Sequence, residues 1–154
     1  MGKPFKDTAS FGKRIEFYLI GQMLMEKLDV YTPLVDDHGV DCVIKKDDGT
    51  FIEIQIKARS FEASESDAAL FAALSHNQTQ NFYFVFYSER LDSMWIMSSE
   101  EFLKECVTNK TGKNAGKHSI LFNGFRTNKK TGKKEAYRKD TFDKYLCNDF
   151  SRFH

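Results

Sequence analysis

The chain has 154 residues, 41% of them hydrophobic and 29% charged, with a formal net charge of +1, which suits one domain around one hydrophobic core. No apolar run nears the roughly 18–20 residues of a membrane span, and the first seven residues lack the apolar stretch of a secretory signal. Cys42, Cys106 and Cys147 are too scattered for a disulfide framework or a thiolate zinc site, so reduced thiols in a cytoplasmic protein are the expectation.

In chain order, residues 10–28 read as an amphipathic helix. Ser10 offers an N-cap, Phe11, Ile15, Leu19, Ile20, Met23 and Leu24 recur at helical spacing, and Glu16 sits on the edge of that apolar stripe. A short strand is predicted at 29–35. Two β-rich runs follow, Gly39-Val40-Asp41-Cys42-Val43-Ile44 and Glu53-Ile54-Gln55-Ile56-Lys57, joined through Asp47-Asp48-Gly49-Thr50.

A three-residue turn with Gly49 in the left-handed conformation suits this join. It sets Cys42 opposite Ile54, Ile44 opposite Ile52 and Val40 opposite Ile56, giving one wholly apolar face. The other face then carries Asp41 opposite Gln55, Val43 opposite Glu53, and Lys57. A two-residue Asp-Gly turn would mix apolar and polar residues on both faces, so the pattern selects the first register. A half-buried hairpin with its polar face in water satisfies the same pattern equally well. The residue types add a second reading. A carboxylate beside a lysine is what phosphodiester hydrolysis needs, because the carboxylate can hold Mg²⁺ and the lysine can meet developing negative charge.

Residues 60–80 are rich in Ser, Ala and Glu, with a helix expected from Ala68 to Leu74. Phe82-Tyr83-Phe84-Val85-Phe86-Tyr87 reads as a strand buried on both faces, and Met94-Trp95-Ile96-Met97 as another. Ser99 opens a helix with Glu100 and Glu101 in its first turn, where acids favour the positive helix end. Ile120-Leu121-Phe122 reads as a strand. A last helix is expected at 140–150, with Phe142, Tyr145, Leu146 and Phe150 on one face.

The four histidines, 38, 76, 118 and 154, lack metal-ligand spacing, and His38 reads as a loop residue. Residues 104–139 hold eleven Lys or Arg against two acids, a local +9 that leaves −8 for the remainder. A segregated basic stretch is a phosphate-binding footprint, although a solvated lysine loop explains it more simply.

Helix, strand, Gly-x-Asp strand and a strand ending Gln-x-Lys, from Gly12 to Arg59, resemble the PD-(D/E)XK nuclease superfamily. The likeness is to its restriction-endonuclease-like and Holliday-junction-resolvase-like members, in a Gln-x-Lys variant. The resemblance implies an α/β fold with a restriction-endonuclease-like central mixed sheet flanked by helices, residues 1–154 forming a single nuclease-like domain. It maps the core acid to Asp41, the acid-x-lysine pair to Gln55 and Lys57, and the helix-borne glutamate to Glu16. Mg²⁺ or Mn²⁺ would then be held by Glu16, Asp41, Gln55 and the Ile56 carbonyl. Residue 40 is Val where the family has Pro, and Gln55 replaces an acid, which gives Glu16 more weight; Glu53 is a spare acid read as facing solvent.

The implied function is a metal-dependent endonuclease acting on DNA, with Arg59, Arg126, Lys129, Lys130, Lys133, Lys134 and Arg138 on the backbone phosphates. Lys139 belongs to the same basic stretch. Cutting of two strands implies a homodimer. The alternative is a catalytically inactive nuclease fold that binds nucleic acid or protein, and the blandest reading is an interaction domain with no nucleic-acid role.

Overall fold

The computed structural model describes residues 8–35 and 38–154. Helix α1 (Thr8–Met25) is followed by strands β1 (Asp29–Tyr31), β2 (Cys42–Lys45), β3 (Phe51–Arg59), β4 (Leu70–Leu74), β5 (Phe82–Ser88) and β6 (Ser93–Ser98). Then come helix α2 (Ser99–Glu105) and strands β7 (Val107–Thr108), β8 (His118–Leu121), β9 (Gly124–Thr127) and β10 (Lys134–Tyr137). A 3₁₀ turn at Asp140–Tyr145, strand β11 (Leu146–Cys147) and a second 3₁₀ turn at Ser151–Phe153 complete the order.

A six-stranded mixed sheet, β1-β2-β3-β5-β6-β11, forms the centre. Only β3 and β5 run parallel in it; the other neighbours are antiparallel. The fold is therefore α/β with a central mixed sheet, as the sequence implied.

Each face of this sheet has its own core. On one face, Phe11, Ile15, Leu19 and Met23 of α1 bury against Cys42, Ile44, Ile52, Ile54 and Ile56. On the other, Phe82, Phe84 and Phe86 of β5 meet Phe102 of α2, Phe71 of β4 and Ile120 of β8. Strands β4, β8 and β7 form a small antiparallel sheet over that second face. The double burial expected of residues 82–87 follows from this sandwich: alternate side chains enter opposite cores. In the second core the rings of Trp95 and Phe122 stack at 4.5 Å.

Helix α1 ends at Met25, three residues short of the expected end, because Lys27 takes the left-handed conformation (φ 66°) and Leu28 N–H returns to the Met23 carbonyl. Leu24, expected in the apolar stripe, lies instead on the face of α1 that carries Phe17 and is 54% exposed. The strand expected at 29–35 stops at Tyr31. Helix α2 is closed at its start by a capping box in which Ser98 and Glu101 exchange side-chain and backbone bonds.

Two segments differ in kind from expectation. Residues 70–74 form β4, not a helix: pairing with β8 and burial of Phe71 against Phe86, Trp95 and Phe122 outweigh local alanine preference. Residues 140–150 form no α-helix. Phe142 and Tyr145 pack into the second core, whereas Phe150 and Phe153 pack into the first. One helix could not serve both faces, so the chain rounds the sheet edge as a 3₁₀ turn, a short strand beside β6, and another 3₁₀ turn. Among the described residues no helix is long and apolar enough to cross a membrane.

Candidate metal and nucleic-acid site

The β2–β3 hairpin has the register set by its turn. Cys42 pairs with Ile54, Val43 with Glu53 and Ile44 with Ile52. Gly49 has φ 87°, its N–H bonds the Lys46 carbonyl at 2.9 Å, and Lys46 N–H bonds the Thr50 carbonyl at 2.8 Å. The Asp48 side chain accepts the Thr50 N–H at 2.8 Å, which tightens the turn.

The ladder changes at Asp41, where the expected pairing of Asp41 with Gln55 and of Val40 with Ile56 fails. Asp41 donates its N–H to the Ile54 carbonyl (2.8 Å), so it shares Ile54 with Cys42 as in a β-bulge. The Asp41 carboxylate instead takes the Ile56 N–H, with Oδ2 at 2.6 Å. Val40 packs with the second core, away from the Ile56 face. One consequence falls on Ile56. Had the ladder continued, Val40 N–H would have reached the Ile56 carbonyl; among the described residues no such backbone bond forms.

Glu16 approaches from α1. It lines one cavity of about 130 Å³ together with Lys13, Phe17, Ile20, Thr32, Pro33, Val40 and Asp41. Lys13, one turn earlier, pairs with Glu16 at 2.9 Å. Burial, then the charges of Asp41 and Glu16, push the Cys42 thiol up to about 12.

Gln55 and Lys57 lie on the opposite face of β3 from Ile54 and Ile56, as strand alternation demands. Gln55 lines a neighbouring open cleft of about 490 Å³ with His38, Gly39, Glu53, Ser75, His76, Asn77, Thr79 and Phe82. Segment 39–41 thus borders both hollows, Val40 and Asp41 lining the first and Gly39 the second. The oxygens of Glu16, Asp41, Gln55 and Ile56 are the hard donors that Mg²⁺ or Mn²⁺ prefers. Among the described residues, no group of three or more His, Cys, Asp or Glu forms a metal cluster. A cation site here would complete its shell with amide or carbonyl oxygen, or with water, beside the two acids.

His76 is the cleft residue that sequence reading passed over. Its Nε2 lies 2.7 Å from Ser99 Oγ, and that hydroxyl oxygen accepts the Thr79 N–H at 2.9 Å. Its ring centroid is 4.8 Å from those of both Phe82 and Phe84. Burial, then the neighbouring His118, hold its pKa below the usual histidine value. A lone histidine in a Ser/Asn/Thr-rich stretch carries no spacing signal that would have marked it.

The basic residues divide into two groups. Arg59 donates Nε to the Asp67 carbonyl at 3.1 Å. Arg126 pairs with Glu135 at 2.8 Å, Lys134 with Glu65, and Arg138 with Asp140 and Asp143. Lys129, Lys130 and Lys133, at the exposed turn between β9 and β10, enter no ion pair among the described residues. Asn128 orders that turn, its Oδ1 accepting the N–H of Lys130 (2.9 Å) and of Thr131 (3.3 Å).

No protein-family model matches the chain, and no curated protein matches it. Among solved structures, that of a bacterial homing endonuclease, I-Ssp6803I, is similar with a TM-score of 0.57 and 17% identity, over 92% of this chain and 88% of that one. At that identity the likeness is one of fold.

Proposed function

We propose that the chain is a divalent-metal-dependent endonuclease acting on DNA, of PD-(D/E)XK type. The observation that carries this reading is the meeting of Glu16 and Asp41 on one cavity where the β2–β3 ladder breaks. The fold shared with a homing endonuclease supports it.

Glu16 and Asp41 would hold Mg²⁺ or Mn²⁺, with the Gln55 amide oxygen and the Ile56 carbonyl completing the donor set. A bound divalent cation supplies Lewis-acid polarisation of the phosphate and acidified water. The chain's own part is positional. The Ile56 N–H fixes the Asp41 carboxylate, and α1 brings Glu16 to it. Lys57, two residues along β3 from Gln55, would orient the attacking water or meet charge developing on the phosphate. Lys129, Lys130 and Lys133, together with Lys134, Arg126, Arg138 and Arg59, would lie along backbone phosphates. Cutting both strands of a duplex would take two copies of the site, hence a homodimer.

Incubation of the purified protein with supercoiled and linear DNA, and with RNA, in Mg²⁺ or Mn²⁺ tests the reading. Cleavage is expected on DNA. Asp41→Ala and Lys57→Ala should each lower it by on the order of 10²-fold or more while circular dichroism stays native. A folded protein that binds Mn²⁺ but cuts no nucleic acid would replace this reading with that of an inactive nuclease-fold binding module.

A further inference from the structure

Gly39 has φ 69°, and a Cβ at that position would stand 2.8 Å from Gln55 Nε2, 3.4 Å from its Cδ and 3.7 Å from its Oε1. Each of the seven other described glycines would meet nothing within 4 Å, so this contact is particular to the place. The atom it crowds belongs to a side chain of the candidate site.

The surrounding bonds make the contact directional. Segment 39–41 touches β3 at three successive residues: Asp41 N–H on the Ile54 carbonyl, Gly39 against the Gln55 amide, and Asp41 Oδ2 on the Ile56 N–H. Gln55 lies between the two backbone attachments. Asp41 is thus fixed by its own hydrogen bonds, whereas the amide is placed by what Gly39 lacks. The whole amide group, Cδ included, lies within 4 Å of where that Cβ would stand.

We propose that Gly39 is a positioning residue for Gln55: the bare α-carbon lets the side-chain amide lie against the chain and so sets where it points. The inference rests on the reading of Gln55 as a donor to the divalent cation. A Cβ at 39 would displace the amide from this position. A glycine is also required for a second reason, the left-handed backbone, and the two reasons can be separated. Asn tolerates φ > 0 better than Ala does, yet both carry a Cβ.

The experiment compares Gly39→Ala and Gly39→Asn, each alone and combined with Gln55→Ala, in the intact protein. One readout is the Gln55 side-chain amide resonance in a ¹⁵N–¹H spectrum, assigned by its loss in Gln55→Ala. The other is Mn²⁺ affinity by calorimetry. Both Gly39 variants should move the Gln55 amide resonance and weaken Mn²⁺ binding roughly 10-fold or more. Neither should weaken it further once Gln55 is Ala. An unmoved amide resonance would overturn the proposal. So would a loss of affinity that persists in the Gln55→Ala background, or one seen with Ala but absent with Asn, since backbone strain would then be the cause. Should Gly39→Ala fail to fold, Gly39→Asn carries the comparison. If the parent protein binds no Mn²⁺, the metal reading under Proposed function fails, and the amide resonance alone decides whether Gly39 places Gln55.

Discussion

The β2–β3 hairpin and the β9–β10 ribbon are both antiparallel pairs closed by a turn with a left-handed glycine, Gly49 in one and Gly132 in the other. They are held together by different means. In β2–β3, Cys42, Ile44, Ile52 and Ile54 bury completely or nearly so against α1, and among the described residues no ion pair joins the two strands. In β9–β10 most residues face water, and the strands are tied by the Arg126–Glu135 pair and by Asn128, which also donates to Glu135 at 3.1 Å. Burial leaves polar groups available for chemistry. A surface ribbon spends part of its charge on its own structure, and of its basic residues only those at the tip stay outside such pairs.

The sharpest way to break this comparison is a core truncation. Ile54→Ala, at a position with no exposure, should cost about 2–5 kcal/mol of unfolding free energy by denaturant titration. Phe125→Ala in the ribbon, where the ring is already 38% exposed, should cost far less. A comparable loss at both sites would show that the ribbon shares the core's cooperativity.

Next in size is an effect on binding without one on stability. Replacing Lys129, Lys130, Lys133 and Lys134 by Ala should flatten the salt dependence of DNA binding by roughly 0.9 in log–log slope per lost phosphate contact. Sequence preference and melting temperature should hold. Lys134 is expected to contribute least of the four, because its ammonium is engaged by Glu65. An unchanged slope would assign the lysines to solvent.

A smaller change is expected from Asn128→Ala. It removes the acceptor for two turn N–H groups, a loss of about 1 kcal/mol for a hydrogen bond of this kind. Amide hydrogen exchange should quicken within β9 and β10 and stay as it was in β2 and β3. Uniform quickening would contradict the separation of the two hairpins.

The least effect concerns pH at the cleft beside the hairpin. The folded pKa of His76 lies below its unfolded value, through burial and then His118. Its contribution is therefore complete above the unfolded pKa of about 6.5 and is lost as pH falls through the folded one. The stability difference between pH 7.5 and 5.5 should shrink in His76→Gln. An equal difference in the two proteins would remove His76 from the account.

Register was legible in the sequence where two constraints coincided. The Asp-Asp-Gly turn and the one apolar face allowed a single pairing of residues 42–44 with 52–54, and that pairing forms. One residue further, the same alternation pointed Asp41 across to Gln55. The bulge was invisible because it depends on where Val40 packs, in a core built from β4, β5 and α2. Strand β4 was misjudged for a like reason, since its partner β8 lies almost fifty residues on and alanines give no local sign of it. The basic stretch could be counted but not sorted: Lys134 finds Glu65, 69 residues earlier in the chain. Glu16 was placed correctly on α1 because helical periodicity is a local property, and its meeting with Asp41 follows from how that helix lies on the sheet.

The central sheet ends in β1, three residues long, on one side and β11, two residues long, on the other. So few ladder groups give another chain a poor template for adding a strand. Extending the sheet from protomer to protomer is therefore a disfavoured route to larger species, wanted or unwanted. Crowded or partly unfolded molecules would gain little by docking edge to edge, and the long, strongly apolar β5 is shielded by three strands on one side and two on the other. On this sheet, the brevity of the outermost strands works against edge-to-edge association.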